Sequence, residues 1–179
     1  MVQRRNSIPP IENMKQILKI ETFYVKPPVN TNEILADLDW YHHCDGRPVK
    51  ANVTDWNVSE YFPDLCRQLN VLYPNHKIEE LWVASYERGD YAEAHDHRGF
   101  DWSFVWYLDA CTSCNPISFP DLKHPWKSDD RVYPKVGNLH VFPASTIHYV
   151  CPHTCYHHER VVVSGNLIHN EGESNDYGR

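Results

Sequence analysis

Apolar positions recur along this chain with two different periods, and the change falls near residue 80. Before it the spacing is helical. NTNEILADLDWY (30–41) opens on Asn and Thr with Glu33 close behind, a helix-start signature. PDLCRQLNVLY (63–73) sets Leu65, Leu69 and Leu72 on one helical face behind Pro63 at a first-turn position. ILKIETFYVK (17–26) reads as an early strand. From Leu81 onward the period is two: LWVASYE (81–87), YAEAHDH (91–97), WSFVWYLD (102–109), PISF (116–119), HVFP (140–143), IHYV (147–150) and RVVVSGNL (160–167). Clusters of Pro, Gly, Asn and Asp separate these runs, as strand boundaries require.

Helices followed by many short strands predict a barrel or sandwich braced from one side. The expected class is mainly β, a double-stranded β-helix (jelly roll) with two or three flanking N-terminal helices. At 179 residues the chain is long enough for one domain with a substantial core. The expected division is helical and strand support over 11–78, a barrel core over 79–168, and a polar tail over 169–179. No internal repeat is found.

Charge and composition exclude several classes. A net charge of −7 offers no basic patch for a phosphate backbone, so nucleic acid is not an expected partner. No run approaches the length of a membrane-spanning helix. The N-terminal MVQRRNSIPPIENMKQ lacks the apolar region of a secretory signal, so a reducing cytoplasm is the expected compartment.

The chemistry concentrates in the strand-rich half, where ten of the twelve histidines lie between His76 and His169. His95 and His97 stand at i and i+2, so a strand would aim both the same way. A third histidine, His148, follows on a Phe-Pro segment, and Arg160 lies twelve residues beyond it. Imidazole suits borderline divalent metals, and three ligands on one face leave positions open for substrate and O₂. A lone histidine at a strand end is ordinarily a surface residue. Three of them within two independently patterned segments predict a metal centre at His95, His97 and His148.

GDYAEAHDH (89–97), WSFVWYLD, GNLHVFPASTIH (137–148) and ERVVVSGN (159–166) together resemble the small 2-oxoglutarate- and Fe(II)-dependent oxygenases of bacteria and phages. The resemblance covers roughly residues 80–168. It implies Fe(II) on His95, His97 and His148, and Arg160 as the guanidinium that grips the distal carboxylate of 2-oxoglutarate. A desolvated carboxylate favours such a forked, permanently charged partner. The chain departs from that pattern at the second ligand, where those enzymes carry Asp or Glu two residues after the first His and this sequence has His97. Asp101, from the following loop, and then Asp96 are the alternative carboxylate ligands.

The same residues also resemble the cupins: Gly89, His95-x-His97, Asp101 where cupins usually have Glu, then Gly137, Pro143 and His148. That likeness implies a metal-dependent dioxygenase or isomerase working without 2-oxoglutarate, on the same fold. Arg160 and the long insert at 110–136 favour the oxygenase reading, with hydroxylation of a small-molecule or peptide substrate as the implied reaction. Alternation places Val162 and Ser164 on the face of Arg160. Ser164 and Tyr86 are candidates to contact the cosubstrate carboxylate, although each, like Ser103 and Asn166, also has a purely structural reading. Trp82, Trp102, Trp106 and Phe142 read as core or pocket wall. Residues 120–135, carrying Lys123, Trp126, Lys127 and Arg131, are the expected lid.

The cysteines form a second constellation. Cys111 and Cys114, and Cys151 and Cys155, resemble two zinc knuckles. In the expected fold both segments follow strands that run away from the metal mouth. Four thiolates meeting there would close a structural Zn site, with His153 as a substitute ligand. The alternatives are reduced, partly buried thiols or a disulfide. Cys44 and Cys66 read as core thiols.

Overall fold

Alternation along three long strands splits the apolar side chains into two layers, and this split positions everything that follows. In the computed structural model, which describes residues 19–42, 47–111, 113–124, 126–156 and 159–170, the strands are β1 (Glu21–Tyr24), β2 (Tyr41–His42), β3 (Val49–Lys50), β4 (Asn52–Val53), β5 (His76–Tyr86), β6 (Tyr91–His95), β7 (Trp102–Asp109), β8 (Ile117–Phe119), β9 (Asp130–Val132), β10 (Asn138–Pro143), β11 (His148–Val150) and β12 (Arg160–His169). The helices are α1 (Thr31–Asp37) and α2 (Pro63–Leu72), with a short 3-10 turn at Ser59–Tyr61. Seven strands form one sheet in the order β1-β10-β7-β12-β5-β4-β2, and five form the other in the order β3-β6-β11-β8-β9. Every strand ladder among the described residues is antiparallel. This is the expected jelly roll.

On β5, Leu81 and Val83 face the helices, while Trp82, Ala84 and Tyr86 face the second sheet. On β7, Phe104, Trp106 and Leu108 take the helical side and Val105 and Tyr107 the inner side. On β12, Val161 and Val163 face the helices and Val162 faces inward. The helical layer is completed by Phe62, Leu65 and Leu69 of the α2 region and Ile34 of α1. Each such side chain contributes about 1.5–3 kcal/mol on burial, so the helices brace one face of the large sheet and leave its other face for the site.

Several boundaries differ from expectation. The first strand is shorter than 17–26, and its residues 17 and 18 lie outside the described residues. Helix α1 stops at Asp37, because Leu38 turns extended and the Trp40 indole donates to the Leu35 carbonyl (3.0 Å), capping the turn. Tyr41 then enters a strand instead of extending the helix. Strands β2, β3, β4 and β9 were not legible: each has two or three residues, too few to display a period. His169, expected in the tail, still pairs with His76, and residues 171–179 and Cys44 lie outside the described residues. No helix among the described residues is long and apolar enough to cross a membrane.

Two turns carry glycines in the left-handed region. Gly89 (φ 98°) joins β5 to β6, and Gly137 (φ 84°) leads into β10, where the Tyr24 ring occupies the space a Cβ would need.

Candidate metal centre

His95 ends β6 and His148 begins β11, and the two are directly opposite in the antiparallel register. His97 lies two residues past the end of β6, where its backbone N–H donates to the Ala144 carbonyl (2.8 Å). The rings converge. Centroids are 4.4 Å apart for His95 and His148, 5.1 Å for His95 and His97, and 5.3 Å for His97 and His148. One nitrogen from each lies within 4.8 Å of the other two.

The surroundings prepare two of these rings as ligands. His95 Nδ1–H donates to the Glu93 carbonyl (2.6 Å) and His148 Nδ1–H to the Thr146 carbonyl (2.9 Å). A carbonyl can only accept, so Nδ1 carries the proton and Nε2 keeps its lone pair for the centre. Phe142 and Phe119 lie edge-on and tilted against His148. Burial lowers the pKa of all three histidines, to about 4 for His97 and about 3 for His148. At neutral pH the trio is therefore uncharged, the state a metal requires. The donor set fits a divalent first-row ion.

Neither alternative carboxylate joins the trio. Asp96 faces Arg98, whose Nε lies 2.7 Å from it, because it sits between two residues that point inward. Asp101 accepts from the His169 backbone N–H (2.7 Å) and lies 3.9 Å from His76 Nε2, held by the end of β12.

Arg160 lies across the cavity. It is 2% exposed and opposite Tyr86 in the β12–β5 register. Nη1 donates to the Asn115 carbonyl (3.0 Å), and Nε has no hydrogen-bond partner among the described residues. Among the described residues no carboxylate pairs with Arg160. Neighbouring Glu159 points the other way and accepts from Ser85 (2.9 Å). Burial raises the phenol pKa of Tyr86 and pushes Tyr107 up to about 12, with the Arg160 charge opposing in both. Both hydroxyls are donors at neutral pH. Tyr86, Ser164, Val162, Trp82, Tyr107 and Phe142 line the same cavity as Arg160 and the three histidines. Trp106 and Trp102 belong instead to the helical layer.

Sequence reasoning missed Tyr107, the Asn115 carbonyl and the link through Glu80. Ser103 Oγ–H donates to Asn166 Oδ1 (2.7 Å), and Asn166 Nδ2 donates to Glu80 (2.7 Å) and lies 3.4 Å from His97 Nδ1. Tyr107 was available from alternation with Val105. Nothing local marks Glu80.

At the other end of the barrel the cysteines are brought together in part. Cys111, Cys114 and Cys155 place their sulfurs within 4.8 Å of one another. Cys151 and His153 are not in the group. Cys151 follows buried Val150 and projects to the exposed side by the same alternation. Cys66 is half-buried and faces the Ser59 carbonyl.

The sequence matches no family model and no curated protein. Among solved structures, it is similar to a prolyl-4-hydroxylase of Pseudomonas putida (15% identity, 86% of this chain and 94% of that one, TM-score 0.62). It is similar to a Trichoplax adhaerens prolyl hydroxylase in complex with a hypoxia inducible factor peptide fragment (12%, 84% and 83%, TM-score 0.64). HygX of Streptomyces hygroscopicus, with nickel, 2-oxoglutarate and hygromycin B bound, is a third (9%, 86% and 84%, TM-score 0.64). At these identities the likeness is one of architecture, and with the two antiparallel sheets and their strand order it makes the chain a double-stranded β-helix protein.

Proposed function

We propose that this chain is a single-domain Fe(II)- and 2-oxoglutarate-dependent oxygenase that hydroxylates an unactivated C–H bond. The observation that carries the reading is Arg160: a permanent cation, 2% exposed, with no carboxylate partner among the described residues, on the same cavity as three neutral imidazoles. A buried guanidinium without a counter-anion is costly, and a bound dicarboxylate would supply one. Asp101 is not grouped with His95, His97 and His148, which weighs against a cupin-type ligand set.

His95, His97 and His148 would hold the iron and Arg160 the distal carboxylate, with Tyr86 and Ser164 adding hydroxyl donors beside it. When bound, the metal supplies O₂ activation coupled to oxidative decarboxylation, so that substrate, 2-oxoglutarate and O₂ give hydroxylated product, succinate and CO₂. The chain's own contribution is orientation and desolvation. The carbonyls of Glu93 and Thr146 fix two ring tautomers, and the Phe119 and Phe142 rings keep water from His148. The cavity encloses about 50 Å³, room for only one or two waters. The segment 120–135, with exposed Leu122, Trp126 and Tyr133, is our choice of lid for a peptide or small-molecule substrate.

Anaerobic titration tests this. A weak visible charge-transfer band that needs both Fe(II) and 2-oxoglutarate is the expected result. Metal uptake with no response to 2-oxoglutarate would turn the assignment to a cupin-type enzyme, and no metal uptake would end both.

A further inference from the structure

We propose that Cys111, Cys114 and Cys155 form a thiolate site for a zinc ion that ties two loops together behind Arg160. Cys111 Sγ lies 3.6 Å from Cys114 Sγ and 3.4 Å from Cys155 Sγ. Zinc–sulfur bonds of about 2.3 Å in a tetrahedron put sulfurs about 3.8 Å apart, so small shifts of three side chains would complete the face. A disulfide would join only two of the three and leave a buried thiol over. Cys114 is 2% and Cys155 8% exposed, the shielding of a structural site more than of a reactive one.

The turn is built for this. Cys114 N–H donates to the Cys111 carbonyl (3.0 Å), and the Cys111 N–H points at Cys114 Sγ (3.3 Å), a contact that favours the thiolate. The second loop is held independently. His153 pairs its backbone with the β5–β6 turn through Gly89 N–H (2.8 Å) and the Asp90 carbonyl (2.7 Å). That pairing brings Cys155 to Cys111 across 44 positions of sequence.

Asn115 is the connection to the cavity. Its side-chain amide donates to the carbonyls of Cys151 (3.2 Å) and Pro152, and its own carbonyl accepts from Arg160 Nη1 (3.0 Å). A metal fixing Cys114 thereby fixes the carbonyl that orients Arg160. This coupling rests on the oxygenase reading, whereas the metal site does not.

The test uses the full-length protein purified without chelator. Expected are about one zinc per chain that survives dialysis and is released by a thiol-specific mercurial, as stable structural zinc is. Cobalt(II) in its place should give an intense near-ultraviolet sulfur-to-metal band, which histidine-only ligation cannot produce. The band should persist in Cys151→Ser and vanish in Cys155→Ser. Should Cys155→Ser fail to fold, the wild-type and Cys151→Ser spectra still decide. Absence of the cobalt–thiolate band, or a Cys111–Cys155 disulfide in protein purified under reducing conditions, would overturn the site. Zinc removal should raise the 2-oxoglutarate requirement by about tenfold, the scale of an outer-shell loss. An unchanged requirement with zinc gone would overturn the coupling alone, and no response to 2-oxoglutarate at any metal content would count against the oxygenase reading instead.

Discussion

Arg160 and Tyr86 face each other across the β12–β5 ladder, and the guanidinium carbon lies 3.9 Å from the Tyr86 ring centroid. The aromatic face and the Asn115 carbonyl are the partners of a buried charge. An anionic ligand would exchange these weak partners for a strong one.

Arg160→Ala should therefore raise the 2-oxoglutarate concentration needed for half-maximal turnover, by the ~3–5 kcal/mol typical of losing one partner of a desolvated ion pair. Metal affinity, measured by calorimetry with Mn(II), should stay within about threefold because Arg160 makes no hydrogen bond to His95, His97 or His148. Arg160→Lys should not restore the wild-type value, since an ammonium cannot make the forked contact. A lysine variant with full affinity would show that charge alone is read.

Removing a ligand should act the other way. His148→Ala should weaken Mn(II) binding by more than the ~10–100-fold expected of an outer-shell change. His97→Asp should keep measurable binding, because a carboxylate at that position offers the same face an oxygen donor. If His97→Ala bound metal as tightly as wild type, the centre would be held by His95 and His148 with another group.

Asn166 is fully buried between Ser103, Glu80 and His97. Asn166→Ala leaves the Ser103 hydroxyl and the Glu80 carboxylate without their partner, at a cost of about 1–3 kcal/mol. Urea unfolding should show this as a lower midpoint at unchanged slope.

His140 lies in the large sheet with Nδ1 against Thr22 Oγ1 (2.8 Å), while Nε2 is buried with no hydrogen-bond partner among the described residues. Desolvation lowers its pKa from 6.5 to about 4. The unfolded chain thus takes up a proton near pH 6.5 that the folded chain refuses until about pH 4. Its contribution to stability is complete above pH 6.5 and falls as the pH drops through that window. His140→Gln should lose less stability between pH 7 and pH 5 than wild type, by up to about 2 kcal/mol. Parallel pH curves for the two proteins would show that His140 does not titrate in this range.

What could be read from the sequence was whatever alternation expresses locally. The pair His95/His97, the shared face of Arg160, Val162 and Ser164, and the strand runs from Leu81 all follow from period two. Asp101 failed as a ligand for a tertiary reason: its carboxylate is claimed by the His169 backbone, far along the chain. Cys151 failed for a local one. Continuing the alternation one residue past Val150 turns it outward, which a count of cysteine spacings ignores. Strands β2, β3, β4 and β9 exist because longer neighbours offer them an edge, not because of their own composition.

Strand β12 is the last strand of the described chain, yet it occupies the centre of the large sheet, between β7 and β5. During synthesis those two strands emerge first and must wait with facing edges open. Pairing of β12 between them brings Arg160 to Tyr86 and Asn166 to His97 on one strand. Of the residues proposed for the site, His95, His97 and His148 all precede β12, whereas Arg160 and Ser164 arrive with it. Without β12, strands β5 and β7 present two unpaired edges at the middle of the sheet, the kind of feature that invites wrong pairing.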